Sequence, residues 1–271
     1  MDEPRESFGE IVRTVIYALL IALVFRTVLF QPFSIPSGSM KPTLLIGDYL
    51  FVSKYSYGYS KYSLPYGNLL PEWFSGRLFG GEPERGDVIV FRNPRNENQD
   101  YIKRLVGLPG DRVQMRRGVL HINGEPVKLE RIESFVEPVA ARAQQCVSRA
   151  NIARLRLSAE DRELIRSEGR DLCLKIQYIE TLPNGTRHPV LDADGDRNLL
   201  DNTSVFIVPQ GHYFFSGDNR DNSQDSRERG GIGFVPADHL IGRAELVLLS
   251  SDGPFWQFWN WRGDRFFQSI D

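Results

Sequence analysis

Between Ile11 and Phe30 the only strongly polar side chains are Arg13, Thr14, Arg26 and Thr27. At 1.5 Å per residue, a helix over this stretch is about 30 Å long, which matches the hydrocarbon thickness of a bilayer. In lipid such a segment has one local choice, because each peptide N–H and C=O must be satisfied within it, and a helix does that. Arg13 and Arg26 lie near its ends and can extend toward the headgroups. The unbroken apolar run Val15 to Phe25 is short for a span, which leaves a cleaved signal peptide as the other reading, although no small-x-small cleavage pattern follows. Arg5 and Arg13 on one side, against Arg26 and Lys41 on the other, do not decide the orientation.

Beyond Pro32 the chain changes to short runs of β-branched and aromatic residues separated by turns such as Arg85-Gly86-Asp87, Pro109-Gly110-Asp111 and Asn123-Gly124. Strands are expected over Tyr49 to Val52, Val88 to Phe91, Tyr101 to Val106, Val119 to Ile122, Val205 to Val208, Tyr213 to Phe215 and Leu246 to Leu249. Asn123-Gly124, between Leu120-His121-Ile122 and Pro126-Val127, predicts a two-residue hairpin. From Pro138 to Asn202 the chain is more polar, and Ser158-Ala159-Glu160-Asp161 leading to Leu164-Ile165 and Gly169 predicts a short capped helix. The expected organisation is a tail over 1–10, an anchor over 11–30 and a mainly β domain in two parts, 31–137 and 203–250. An insertion over 138–202 and an aromatic tail over 251–271 complete it.

A formal net charge of −2 with no basic cluster excludes a nucleic-acid footprint. Cys146 and Cys173 both fall in the insertion, where they either pair, in an oxidising compartment, or remain as structural thiols. Asp192-Ala193-Asp194-Gly195-Asp196 fails the calcium-loop spacing and reads as a solvated acidic turn. His121, His188, His212 and His239 are scattered without metal-ligand spacing, so no metal and no cofactor is assigned. Rings at Trp73-Phe74, Phe79, Phe255-Trp256, Phe258-Trp259, Trp261 and Phe266-Phe267 suit either a headgroup-level surface, with Arg262 and Arg265 alongside, or core packing and a C-terminal amphipathic helix.

The chemistry has to come from serine, lysine and carboxylates. Ser39 lies on the Gly/Pro-punctuated stretch Ile35-Pro36-Ser37-Gly38-Ser39-Met40-Lys41-Pro42, close after the apolar segment. A serine hydroxyl needs a neighbouring base to become a nucleophile. His212 opens an aromatic strand and reads more simply as a strand-edge residue. Lys103 is the better base: strand alternation puts it on one face with Tyr101 and turns Ile102 and Arg104 to the other. At an ordinary pKa of about 10.4, fewer than about one such amine in a thousand is neutral at pH 7, so burial would have to lower it by about two units.

Four blocks occur in order: Ile35 to Leu44, Arg85-Gly86-Asp87-Val88-Ile89-Val90-Phe91, Tyr101-Ile102-Lys103-Arg104, and Ser216-Gly217-Asp218-Asn219 through Arg227. With Gly242-Arg243-Ala244 they make the chain resemble the bacterial type I signal peptidases, or leader peptidases, over most of its length outside the insertion. The resemblance implies a fold of twisted antiparallel sheets behind one N-terminal transmembrane helix. It also implies a serine endopeptidase that removes signal peptides from exported preproteins after small residues at −3 and −1. Ser39 would be the nucleophile, Lys103 the general base, and Ser37 with the Ser39 N–H the oxyanion hole. Ser223 would orient the lysine, Asp225 and Arg227 would form a supporting ion pair, and Asp218 would be a structural carboxylate. Phe33, Ile35, Pro36, Met40, Leu44, Tyr101 and Ile102 would shape the shallow substrate pockets. The implied partners are preproteins and membrane lipid, and the implied location is the bacterial inner membrane with the catalytic domain on the outer side. Self-cleaving Ser/Lys repressors share the dyad but carry a DNA-binding module, and a penicillin-binding Ser-x-x-Lys fails because Lys41 is two residues after Ser39. A non-catalytic anchored binding module has no need of these serines and this lysine together.

Overall fold

The computed structural model describes residues 8–64, 67, 76–138, 158–168, 172–193, 198–228 and 230–270. Trp73, Phe74, Cys146, Gly169 and Asp194-Gly195-Asp196 lie outside the described residues. The apolar segment forms helix α1 (Phe8–Val24), extended by a π-helical turn over Phe25–Leu29. Together these give a 22-residue apolar helix, Phe8–Leu29, long enough to cross a membrane and with none of its most apolar stretch buried. Phe30, expected to end the helix, instead starts a strand. Its ring packs against Phe51 at 5.8 Å and edge-on to Tyr55 at 5.6 Å, contacts that an extended backbone allows.

Along the chain follow β1 (Phe30–Ser34), β2 (Asp48–Ser53), β3 (Val88–Arg92), β4 (Asp100–Gly107), β5 (Arg112–Arg116), β6 (Val119–Ile122), β7 (Glu125–Pro126), β8 (Lys128–Arg131) and β9 (Phe135–Pro138). After α2 (Ala159–Glu168) come β10 (Leu172–Thr181), β11 (Arg187–Asp192), β12 (Phe206–Ile207), β13 (His212–Ser216), β14 (Val235–Pro236), β15 (Leu240–Ser250) and β16 (Gln268–Ser269). The main sheet runs β1-β2-β15-β3-β4-β13-β14, with β16 beside β15. A second sheet has β10 between β11 and β8, with β9 also on β10, and a third runs β12-β5-β6-β7. Every strand pairing is antiparallel. The molecule is mainly β, as expected.

Local signals that need no partner behave as read. The β6–β7 hairpin turns at Asn123 (φ 57°) and Gly124 (φ 95°), the left-handed pair that such a turn requires. Ser158 caps α2: its Oγ accepts from Asp161 N at 3.0 Å, and Asp161 Oδ2 accepts from Ser158 N at 3.2 Å. Elsewhere the extents differ. The run ending at Leu249 belongs to an 11-residue strand whose first half contains Gly242, Arg243 and Glu245, which interrupt the apolar pattern. The insertion holds β10 and β11 as well as a helix, and its sheet begins before residue 138, at β8 and β9. The stretch is polar in sequence, yet Lys175, Glu180 and His188 in it are all buried. Cys173 is buried there and disulfide-bonded.

Met40 and Leu44 drive the turn after β1 into a core with Leu50, Val52, Val88 and Ile241. Burying such side chains contributes on the order of 2 kcal/mol each. A second core, centred on Phe91 and Phe215 with rings 4.5 Å apart, fixes β3, β4 and β13. The aromatic tail forms no helix of more than one turn. Its arginines point inward: Arg265 Nη2 bonds Asp48 Oδ2 at 2.6 Å, and Arg262 Nη2 bonds Ile46 O at 2.6 Å. Both arginines reach the fully buried Asp48, which needs cationic partners, whichever of the two readings of the rings holds. The rings of Trp256, Phe258, Trp259 and Phe267 remain mostly exposed.

Candidate active site

Ser39 sits on the turn that links β1 to β2, and Lys103 comes from β4, paired with Ile89. Lys103 Nζ lies 2.6 Å from Ser39 Oγ and donates to Ile102 O at 2.9 Å. The lysine is 2% exposed. Burial lowers its pKa to about 8, with Arg227 adding to the effect, while Asp225 and Asp218 pull the other way. Desolvation therefore outweighs two carboxylates. Ser37 Oγ lies 3.5 Å from Ser39 Oγ, and among the described residues the Ser39 N–H has no hydrogen-bond acceptor. That leaves two donors beside the hydroxyl free to face a developing negative charge.

Alternation along β4 turns Arg104 away from Lys103 as expected. Its guanidinium grips Asp218 through Nε–Oδ1 at 3.0 Å and Nη2–Oδ2 at 2.9 Å, and bonds Gly86 O at 2.7 Å. Thr43 donates to the same carboxylate at 2.5 Å. Burial pushes the Asp218 carboxyl upward, but Arg104 and His188 outweigh it and hold it below the ordinary range. Arg227 forks onto Asp225 through Nε–Oδ1 at 2.9 Å and Nη2–Oδ2 at 2.8 Å, while Gly217 N donates to Asp225 Oδ2 at 2.9 Å. Burial is again outweighed, and Asp225 stays ionised. The expected ion pair is thus present, and Asp218 has its own.

Ser223 differs from expectation. Its Oγ is buried with no hydrogen-bond partner among the described residues, so the orienting bond to Lys103 is absent in this structure and the Ile102 carbonyl takes that donor. A Cβ on Gly217 would fall 2.2 Å from Ser223 Oγ and 2.6 Å from Ser39 O, so the 216–223 turn packs against Ser39 at a separation only glycine allows. Met40 and Leu44 are also displaced from their expected role: both are 0% exposed and lie in the core rather than in the pocket wall. The groove, of about 600 Å³, is lined by Phe33, Ile35, Pro36, Tyr101 and Ile102 as expected, and additionally by Val90, Asn222 and Gln224. His212 is elsewhere, with Nδ1 3.0 Å from Gln210 O.

Sequence reasoning missed Asn219, Arg220, Glu180 and His188. Asn219 N donates to Ser39 O at 3.1 Å and its Nδ2 to Gly38 O at 2.7 Å, which clamps the turn that carries Ser39. Its place in the block after Gly217-Asp218 was the available signal. Arg220 Nη2 bonds Glu180 Oε1 at 2.6 Å. Burial opposes ionisation of that carboxyl, but Arg220 and His188 hold its pKa at about 2. Leu191 N also donates to Asp218 O at 2.8 Å, so the second sheet braces the catalytic loop. Glu180 and His188 carried no sequence signal, since a polar residue in a charged stretch reads as exposed.

A serine hydroxyl held against a buried amine in a groove is an arrangement suited to a serine peptidase. Residues 8–249 match the family described as signal peptidase, peptidase S26. Signal peptidase I of Rickettsia typhi is 38% identical over 247 residues, covering 89% of this chain and 80% of that one. Signal peptidase I of Rickettsia prowazekii is 37% identical over 259 residues, covering 93% and 83%. A crystal structure of a signal peptidase I from Enterococcus faecalis V583 aligns with 60% of this chain and 97% of that one, at 26% identity and a TM-score of 0.30. The chain belongs to the signal peptidase family S26. It is a serine protease of the signal peptidase I type, acting on substrates that bear signal peptides.

Proposed function

We propose that Ser39 and Lys103 form a Ser/Lys dyad that cleaves signal peptides from exported preproteins at the membrane surface. The observation that carries this reading is the 2.6 Å approach of Lys103 Nζ to Ser39 Oγ inside a desolvated site. With a pKa of about 8, roughly a tenth of the amine is neutral at pH 7, against fewer than about one in a thousand at the ordinary value. The neutral amine takes the Ser39 proton as Oγ attacks the scissile carbonyl. Ser39 N–H and Ser37 Oγ donate to the oxyanion. Lys103 then protonates the leaving amine, and a water molecule, activated by the same lysine, releases the signal peptide from Ser39.

Substrate enters as an extended strand. β1 is an edge strand, and β13 pairs with β4 only from Arg104 onward, so Asp100 to Lys103 keep a free side facing the groove. Backbone pairing there supplies affinity without sequence preference. Ile35, Pro36, Tyr101 and Ile102 restrict the side chains at −1 and −3 to small ones by exclusion. Ser223, whose hydroxyl has no other partner, orients the lysine once a substrate displaces the Ile102 bond. The helix Phe8–Leu29 spans the inner membrane once, its N-terminus cytoplasmic and the catalytic domain outside, and the exposed rings of the C-terminal segment rest at headgroup level. Purified full-length protein in detergent should process a preprotein at an Ala-x-Ala site. Ser39→Ala and Lys103→Ala should each abolish processing while the fold persists, and activity retained by either variant sinks the dyad.

A further inference from the structure

One buried cation takes no part in this chemistry. Lys54 follows β2, is 0% exposed, and its Nζ has no hydrogen-bond partner among the described residues. Burial lowers its pKa to about 8, and a nearby cation, Arg26, lowers it further. An ammonium left without an acceptor in such a place is costly, and a neighbouring cation adds to the cost. The backbone holds the pair in place. Lys54 N donates to Leu29 O at 3.0 Å, and the Tyr59 hydroxyl donates to Val28 O at 2.6 Å. Two cations are thus fixed at the junction where the apolar helix gives way to the main sheet, and Arg26 is exposed on the helix surface. Tyr55 stands beside them, edge-on to Phe30 at 5.6 Å.

We propose that Arg26 and Lys54 bind the phosphodiester of an anionic membrane lipid, whose acyl chains lie along Phe8–Leu29. Such an anion gives Lys54 Nζ the acceptor that the described residues do not supply and cancels the repulsion between the two cations. A bilayer places its phosphates at the level where a spanning helix ends, which is where these side chains are. The four-carbon stem of Lys54 lets its ammonium reach outward to a headgroup. The inference rests on the helix crossing a membrane. That reading is tested separately, by whether the chain resists alkaline extraction from membranes, and it can hold while the lipid site fails.

The test uses the full chain in a neutral detergent, with phosphatidylglycerol, diacylglycerol and inorganic phosphate as probes. Native mass spectrometry reports bound lipid, and the thermal midpoint reports stabilisation. The wild type should retain one phosphatidylglycerol and gain stability from it. Lys54→Met should bind about tenfold more weakly and lose the stabilisation, as expected for removal of one charge-assisted bond. Arg26→Gln, a change on an exposed helix surface, should weaken binding likewise. It carries the test alone if Lys54→Met fails to fold, as judged by peptide cleavage in detergent. Equal retention by the wild type and the folded variants overturns the proposal, as does equal retention of diacylglycerol. Stabilisation by inorganic phosphate as large as that by the lipid also overturns it, by assigning the site to a free anion.

Discussion

Replacing Lys103 by methionine should abolish cleavage and stabilise the protein at the same time, because the proposed base is an ammonium kept in a site that disfavours it. Its pKa falls from 10.5 to about 8 on folding. At about 1.4 kcal/mol per unit, that is a cost of about 3 kcal/mol wherever the amine is protonated in both folded and unfolded chains. Below pH 8 the full cost applies. Between about pH 8 and 10.5 the unfolded chain binds more protons than the folded one, so stability rises with pH, and above 10.5 the cost is gone. Methionine fills a similar volume but loses the contacts with Ser39 Oγ and Ile102 O, which offset the gain by roughly 1 kcal/mol. At pH 6.5, Lys103→Met should therefore be about 1–3 kcal/mol more stable than the wild type, and the advantage should vanish by about pH 10.5. Urea midpoints followed by tryptophan fluorescence at the two pH values measure this, with groups common to both proteins cancelling. A variant less stable than the wild type at pH 6.5, or a difference independent of pH, would refute a desolvated charged lysine.

In the wild type, kcat/KM for a peptide substrate should climb about tenfold per pH unit and level off near pH 8, where Lys103 becomes neutral. An acid limb centred near 6.5 would point to a histidine instead. Asp218→Ala strands the fully buried Arg104 and should cost about 3–5 kcal/mol in urea unfolding, and a loss below about 1 kcal/mol would contradict the pairing seen here. His212→Ala should leave cleavage within about twofold, since its ring bonds only the nearby Gln210 carbonyl. Complete loss in a folded variant would revive a histidine base.

The site was legible in the sequence where motif order carried it and illegible where packing decided it. Ser39, Lys103 and the Asp225–Arg227 pair stood in recognisable blocks, and β4 alternation correctly separated Lys103 from Arg104. Met40 and Leu44 stand in the same block as Ser39 and read as pocket wall, but the turn needs them as its anchors in the core. Ser223 stands in the expected block, yet its hydroxyl makes no hydrogen bond among the described residues, because side-chain placement is not written in residue order. Asn219, Glu180 and His188 act through contacts between segments distant in sequence.

What the chain determined alone was local: an apolar run long enough for a helix, an Asn-Gly pair able to take a left-handed turn, and a serine with an acidic residue three positions on that cap a helix. Each of these is satisfied within a few residues, so its free energy is largely written where it occurs. The tertiary structure alone decided which polar residues are buried and with what. It folded Lys175, Glu180 and His188 inside a sheet within a polar stretch, turned Arg262 and Arg265 inward onto Asp48, and left Lys54 without an acceptor among the described residues. Those outcomes depend on desolvation and on partners brought from far along the chain, and neither exists until the sheets have closed around them.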